Sequence, residues 1–205
     1  EFFPLQHIDH LDDPDGDDEK GFWTQRYYTY GKHFKGPGYP IFLILGGEGA
    51  ISPETGIFYP FVGDHLAKTY GGYVLQPEHR FYGKSQPLEG KAISSTEEDP
   101  RGKLFTSEQA LHDAMVLLEA VRNKLGGAPT SKSKLNHDTN SSIITNLGGE
   151  SSLYCPVVTV GGSYPGFLSA FARMLFPEIV DMAYAASAPM GFYAQETDQI
   201  GRAHV

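Results

Sequence analysis

The last third of the chain places an apolar strand, a glycine-rich turn and an apolar helix directly after one another. Residues Pro156–Val160 are rich in β-branched side chains, which predicts a strand buried on both faces. The turn is Gly161–Gly166, and the apolar segment from Phe167 to Phe176 predicts a helix. A strand that leads at once into a helix is the building unit of an α/β protein with a mostly parallel sheet.

Other segments supply further strands for such a sheet. The stretch Pro40–Leu45 is continuously apolar, and Tyr73–Pro77 and Met182–Ala186 are shorter runs of the same kind. The aromatic segment Phe22–Tyr28 is also typical of a strand. A helix is predicted after Thr106, which forms a capping box with Gln109, and it should stop at Gly126. Strands that alternate with helices predict the α/β fold class.

The composition excludes several classes of partner. With 16 basic and 25 acidic residues the net charge is −9, and the chain has no basic stripe for nucleic acid. It has no apolar run of about 18 residues, so no membrane span is predicted. The histidines lack metal-ligand spacing, and Gly83–Ser85 lacks the earlier glycine of a phosphate loop, so we predict neither metal nor cofactor. Cys155 is the only cysteine, so the chain cannot form an internal disulfide.

Ser163 lies in the middle of the glycine-rich turn and is the candidate nucleophile. A serine hydroxyl attacks a carbonyl well only when a base takes its proton and N–H donors stabilise the oxyanion. In α/β hydrolases the motif Gly-x-Ser-x-Gly lifts the serine above the sheet, between a strand and a helix. Gly161 fills the first position of this motif, and the backbone N–H of Tyr164 is the predicted first oxyanion donor.

The remaining positions of the predicted elbow are Gly162, Pro165 and Gly166. Pro165 stands where the motif has its second glycine. Its fixed φ and missing N–H are tolerated in the first turn of a helix, so the departure is physically admissible. We expect Gly166 to restore some of the space that the proline ring takes.

The loop Gly46–Gly49 is the candidate source of the second oxyanion donor, which we assign to Gly47. It follows the predicted strand Pro40–Leu45, and glycines allow backbone amides to approach a ligand closely. An ordinary glycine turn is the alternative interpretation. The presence of the Ser163 turn in the same chain favours the oxyanion role.

Several motifs in a fixed order resemble one peptidase family. They are Gln6, Asp9 and His10, then Gln25–Tyr27, Gly46–Gly49, Glu78–Ser85, Gly161–Tyr164 and Ala186–Pro189. From about Gln6 to Gln199 the chain resembles the serine carboxypeptidase family that includes lysosomal Pro-X carboxypeptidase, dipeptidyl peptidase II and thymus-specific serine protease. Two positions depart from the pattern of that family. Pro165 replaces the usual glycine, and Gly47 replaces the usual asparagine.

The resemblance implies an α/β-hydrolase core with an inserted helical lid. It implies a serine-type exopeptidase that cleaves peptides next to proline, of the carboxypeptidase or dipeptidyl-peptidase type. The triad Asp and His would follow the lid, so only Ser163 of the triad is expected here, and the chain alone is expected to be inactive. The resemblance also implies a secreted or lysosomal (vacuolar) location, in which the glycosylation sequon Asn140–Ser142 would carry a glycan at Asn140. It leaves open whether the full-length protein forms a homodimer.

These features define the expected organisation of the chain. Residues 1–190 are predicted to be the N-terminal part of the peptidase domain, with a polar surface insertion at 127–154, and residues 191–199 to begin the lid. Residues 200–205 are predicted to be a non-native tail, because one reading frame of a common sequencing-adapter oligonucleotide encodes these six residues. His204 is therefore not a candidate base.

Two other functions stay open at this point. A non-catalytic binding protein and an esterase would both fit the same fold, because fold does not fix function. We interpret Glu78–Arg80 as a buried charge network at a strand end, and not as catalytic residues. Asp181 is rejected as the triad acid, because it precedes a strand and only His204 follows it.

Overall fold

Most of the described strands belong to one sheet. The computed structural model describes residues 1–11, 21–55, 60–89, 101–127, 143–145 and 151–193. Its strands are β1 (Phe2–His7), β2 (Phe22–Tyr30), β3 (Ile41–Ile44), β4 (Tyr73–Pro77), β5 (Ile143–Thr145), β6 (Ser151–Leu153), β7 (Val157–Gly162) and β8 (Met182–Ala186). Six of them form one sheet in the order β1-β2-β4-β3-β7-β8, while β5 and β6 pair separately.

The sheet combines an antiparallel edge with a parallel centre. β1 pairs with β2 and β2 with β4 in antiparallel fashion. From β4 through β3 and β7 to β8 all neighbours are parallel. The predicted α/β architecture with a mostly parallel sheet is therefore confirmed.

Helices cover both faces of the parallel strands. A π-helical segment, Phe61–Ala67, continues into α1 (Lys68–Tyr70). The other helices are α2 (Arg101–Leu104), α3 (Ser107–Lys124), α4 (Tyr164–Leu175) and α5 (Met190–Tyr193), and a 3-10 turn spans Pro53–Thr55.

The alternation of side chains along β3 explains the two hydrophobic clusters. Ile41 and Leu43 point to one face, where they pack with residues of α3 and α4 such as Leu118 and Leu168. Phe42 and Ile44 point to the other face and join the cluster of Val62 in the π-helical segment. Because both faces are covered, all four residues of β3 are buried. This burial explains why the strand reads as an uninterrupted apolar run.

The start and end of α3 follow the predicted signals, with one difference. The Thr106 hydroxyl accepts a hydrogen bond from the Gln109 backbone N–H at 3.2 Å, and Gly126 adopts φ 76° just after the helix. The Gln109 side chain does not complete the capping box. Its Oε1 accepts from the His10 backbone N–H at 3.0 Å, so this residue joins the helix to the segment after β1.

Several elements differ from the sequence-based prediction or were not predicted. Helix α4 begins at Tyr164, not at Phe167, because Pro165 fits its first turn without needing an N–H partner. Strand β1 and the helical segment 61–70 were not predicted. The antiparallel pair β5–β6 lies inside the segment 127–154, which was expected to be a polar surface insertion.

The last strand of the sheet, β8, is exposed. Met182 and Tyr184 keep 64% and 47% of their surface accessible, and the described residues place no strand beyond β8. Within the described ranges, no helix has the length and apolarity needed to cross a membrane.

Candidate active site

The backbone at Ser163 has the conformation of a sharp elbow. The residue sits between β7 and α4 with φ 58° and ψ −127°, a region that a non-glycine residue rarely adopts. Its N–H donates to the Ala186 carbonyl at 2.9 Å, and its own carbonyl accepts from the Phe167 N–H at 3.1 Å. These bonds to β8 and α4 hold the strained turn, and the serine is exposed at the carboxyl end of β7.

Steric space explains two of the glycines in this turn. A Cβ atom on Gly161 would overlap the backbone carbonyl of Pro165, and one on Gly166 would lie 2.9 Å from the Ala186 carbonyl oxygen. Gly162 differs, since its Cβ would meet nothing closer than 3.8 Å. Gly161 and Gly166 are therefore required by close backbone approach, whereas Gly162 is not.

Tyr164 is the first residue of α4, and Pro165 is the second. The backbone N–H groups of a first helical turn lie at the positive end of the helix dipole, where they favour negative charge. An anion that forms beside Ser163 would therefore meet the amino-terminal end of α4. This arrangement is the one that the Gly-x-Ser-x-Gly motif predicts for its serine.

A cavity of about 660 Å³ opens next to the elbow. Gly161, Gly162 and Pro165 line it from the elbow, and Gly47 and Glu48 line it from the loop after β3. Its remaining lining is mostly apolar and comes from the sheet, the π-helical segment and the rest of the loop after β3. Residues of both candidate oxyanion segments thus line one cavity, because β3 and β7 are neighbours in the sheet. Ser163 and Tyr164 themselves are not among its lining residues.

A buried ion pair shapes the loop that contains Gly47. Glu78 is fully buried and pairs with Arg26 of β2. The same carboxylate accepts hydrogen bonds from the backbone N–H groups of Ile51 at 3.0 Å and Lys84 at 2.9 Å, and from the Ser85 hydroxyl at 2.9 Å. Glu78 therefore fixes the loop after β3 and the turn after β4 against β2.

A second buried pair joins the same strand end to α3. Arg80 donates to both carboxylate oxygens of Asp113 at 2.7 Å, and neither side chain has accessible surface. Its guanidinium also donates to the backbone carbonyls of Leu104 at 3.0 Å and Ile8 at 3.1 Å. The interpretation of Glu78 and Arg80 as parts of a buried charge network is supported by these contacts.

His79 makes contacts of a different kind, which the sequence analysis missed. Its Nε2 lies 3.0 Å from the Tyr164 hydroxyl, which lies 3.1 Å from the Ser107 hydroxyl. Burial lowers the pKa of His79, since a charged ring would lose its hydration. The signal for this contact is the position of His79 directly after a strand. Because β4 and β7 are parallel and end at the same edge of the sheet, the residues that follow β4 lie near those that follow β7.

Asp181 lies at the opposite end of the strands from Ser163. Its carboxylate accepts hydrogen bonds from the Tyr154 hydroxyl and from the Val157 N–H, the latter at 2.8 Å. Val157 begins β7 and Ser163 follows its end, a separation of roughly 20 Å at about 3.3 Å per strand residue. The rejection of Asp181 as a triad acid agrees with this geometry. Asn140 and residues 200–205 lie outside the described residues.

Comparisons with known proteins give relatives over most of the chain. Thymus-specific serine protease of Mus musculus is 31% identical over 87% of this chain and 29% of its own length. Prolyl carboxy peptidase like protein 5 of Caenorhabditis elegans is 34% identical over 82% of this chain and 27% of its own length. Lysosomal Pro-X carboxypeptidase of Mus musculus is 30% identical over 90% of this chain and 31% of its own length. The chain thus spans less than a third of the length of each of these relatives.

A solved structure and a family model complete the comparison. The thioesterase domain from the curacin biosynthetic pathway superposes with a TM-score of 0.43 at 16% identity, over 81% of this chain and 41% of that chain. The family model described as serine carboxypeptidase S28 matches residues 6–134 and 141–198, which include Ser163 and both candidate oxyanion segments. The chain belongs to the serine carboxypeptidase S28 family.

Proposed function

We propose that this chain carries the nucleophile of a serine-type exopeptidase that cleaves peptides next to proline, and that Ser163 is that nucleophile. The observation that carries the proposal is the backbone of Ser163, which holds φ 58° between a parallel strand and a helix. Backbone strain of this kind persists only where surrounding contacts hold the residue in its conformation, and it is common at catalytic residues. Membership of the serine carboxypeptidase S28 family supports the same assignment.

In the proposed reaction the Ser163 hydroxyl attacks the scissile carbonyl carbon of a peptide. The C–O bond forms while a base accepts the hydroxyl proton, and the carbonyl oxygen becomes an oxyanion. The backbone N–H groups of Tyr164 and Gly47 stabilise that charge. The C–N bond then breaks, the amine leaves with the proton, and water hydrolyses the acyl-enzyme in the reverse sequence. We assign the base and its orienting acid to positions of the full-length protein that follow the lid, in the order Ser, Asp, His.

Substrate and location are also part of the proposal. The name of the lysosomal Pro-X carboxypeptidase relative supports a peptide with proline beside the cleaved bond. The mostly apolar cavity at the elbow suits a ring without a charge. We place the full-length protein in lysosomes or in the secreted fraction, where Asn140 would carry a glycan.

A matched pair of peptides tests the substrate class. One substrate is an N-terminally blocked peptide with penultimate proline, and the other is an unblocked Xaa-Pro amide. Full-length protein should hydrolyse one of them at least about tenfold faster than the same compound with alanine in place of proline. The Ser163→Ala variant is the control and should show no turnover. Hydrolysis of esters without any peptide cleavage would instead identify an esterase. Peptide binding without turnover would identify a non-catalytic binding protein.

A further inference from the structure

His79, Tyr164 and Ser107 form a chain of hydrogen bonds that ties the elbow to two other elements. His79 follows β4, Ser107 begins α3, and Tyr164 begins α4 directly after Ser163. The Nε2···hydroxyl distance from His79 to Tyr164 is 3.0 Å, and the hydroxyl···hydroxyl distance from Tyr164 to Ser107 is 3.1 Å. The residue whose backbone N–H is the proposed oxyanion donor is therefore held by its side chain as well.

The directions of these hydrogen bonds follow from one backbone carbonyl. His79 Nδ1 lies 2.8 Å from the carbonyl oxygen of Arg80, which can only accept, so Nδ1 carries the proton. In the neutral ring Nε2 is then the acceptor, and the Tyr164 hydroxyl must donate to it. Because Tyr164 has given its only proton to His79, the Ser107 hydroxyl donates to Tyr164. The three side chains thus have one consistent set of donors and acceptors.

The surroundings favour the neutral form of the ring that this arrangement needs. His79 keeps only 5% of its surface accessible and packs edge-on against Tyr82 and Phe105. Burial is the largest cause of its lowered pKa, and the charge of Arg80 acts in the same direction. The hydrogen bond to the Arg80 carbonyl and the charges of Asp113 and Glu48 act in the opposite direction, but each contributes less than burial.

We propose that His79 is a positioning residue that holds Tyr164, and through it the amino-terminal end of α4, in the geometry needed to stabilise the oxyanion beside Ser163. This inference rests on the proposed function of Ser163. In this role His79 acts through Tyr164, and we assign it no contact with the substrate or with the reacting atoms. Its effect is transmitted by the Tyr164 hydroxyl, and a second hydrogen bond, to Ser107, also holds that hydroxyl. The expected cost of losing the contact is that of one neutral hydrogen bond in a preorganised site.

Two amide substitutions at position 79 separate the two nitrogens of the ring. His79→Gln can place an acceptor where Nε2 was, whereas His79→Asn can replace only Nδ1. In the full-length protein His79→Asn and Tyr164→Phe should each lower kcat/KM by about 3- to 10-fold, mainly through kcat, and His79→Gln should recover most of the loss. His79→Asn combined with Tyr164→Phe should lose no more than either change alone. His33→Asn, in the turn after β2, is the matched control and should keep wild-type activity.

A transition-state analogue distinguishes positioning from a purely structural role. A peptide aldehyde that forms a tetrahedral adduct with Ser163 should bind His79→Asn more weakly by the same factor as kcat/KM. The KM for the proline peptide should stay within about twofold of wild type. Unchanged kcat/KM and unchanged aldehyde affinity in both His79→Asn and Tyr164→Phe would overturn the proposal.

The tautomer of His79 gives a test that needs no active variant. In protein labelled with ¹⁵N-histidine, Nδ1 of His79 should be protonated and Nε2 should not, and the Nε2 resonance should move in Tyr164→Phe. A proton on Nε2 would overturn the proposal. Failure of the proposed function looks different. In that case a fluorophosphonate would not label Ser163 of the wild type, whatever the tautomer of His79.

Discussion

A Cβ atom on Gly47 would lie 2.8 Å from Cγ of the Pro165 ring. At both positions the sequence is expected to depart from the pattern of the family, with glycine in place of asparagine and proline in place of glycine. A side chain at position 47 and a proline ring at position 165 need the same space. We infer that the two departures compensate each other. Proline at position 165 with a side chain at position 47 would overpack the wall of the cavity, and glycine at both positions would leave that space unfilled.

The relationship between Gly47 and Pro165 predicts non-additive mutational effects. Gly47→Asn should lower the free energy of unfolding by about 1–3 kcal/mol, the usual range for overpacking. The same change in a Pro165→Gly background should cost clearly less, since the ring that it meets has gone. Urea unfolding of the four proteins in this cycle measures the coupling. Gly49→Asn is the control, because nothing lies within 4 Å of a Cβ there. Equal costs of Gly47→Asn in both backgrounds would contradict the inference.

Two neighbouring glycines of the elbow should respond very differently to alanine. Gly161→Ala forces a methyl group into the Pro165 backbone, which cannot move without opening the first turn of α4. We expect this variant to lose several kcal/mol of stability, or not to fold. Gly162→Ala meets only a contact at 3.8 Å and should stay within about 1 kcal/mol of wild type. Thermal unfolding of both variants is the measurement, and similar losses in the two would show that the elbow geometry is wrong.

The buried pair of Arg80 and Asp113 predicts a large loss when one partner is neutralised. Asp113→Asn leaves the guanidinium of Arg80 without its counter-charge in a site with no accessible surface. Removing one partner of such a pair typically costs about 3–5 kcal/mol. Glu178→Gln, at an exposed site after α4, is the control and should cost less than about 0.5 kcal/mol. A loss at Asp113 as small as that of the control, in urea unfolding, would contradict the predicted role of this pair.

The elements with strong local patterns could be predicted, and contacts between distant segments could not. Strand β3 shows as a continuous apolar run because both of its faces are covered, and α3 has a threonine cap and a glycine stop. Strand β1 lacks such a pattern, since Phe2 and Leu5 are exposed and the strand is held by pairing with β2.

The candidate site shows the same division. The motif around Ser163 is local, so its strand, turn and helix could be predicted from the sequence. The approach of Gly47 to Pro165 depends on β3 lying beside β7, and the contact of His79 with Tyr164 depends on β4 ending at the same edge. Neither strand order nor rotamer follows from local sequence. His79 was therefore grouped with its charged neighbours and its contact with Tyr164 was missed.

Two histidines predict how stability changes with pH. Burial lowers the pKa values of His79 and His112 in the folded protein, and the charge of His10 adds to the effect at His112. A lowered folded-state pKa contributes stability that is complete above the unfolded value of about 6.5 and is lost as pH falls through the folded value. The free energy of unfolding should therefore decrease from pH 7 toward pH 5. His112→Gln should reduce the change in the free energy of unfolding between pH 7 and pH 5. At pH 8 the difference in the free energy of unfolding between this variant and wild type reports only packing. An unchanged slope in His112→Gln would contradict the assignment.

Covalent labelling of Ser163 tests the central claim most directly. Full-length protein is treated with a fluorophosphonate, digested and mapped by mass spectrometry, with heat-denatured protein as the control for non-specific reaction. A single adduct on Ser163 is predicted in the native protein, with none in the denatured control. The Ser163→Ala variant should not react and should still bind the proline peptide. An adduct on a different serine, or undiminished labelling of Ser163→Ala, would contradict the assignment of Ser163 as the nucleophile.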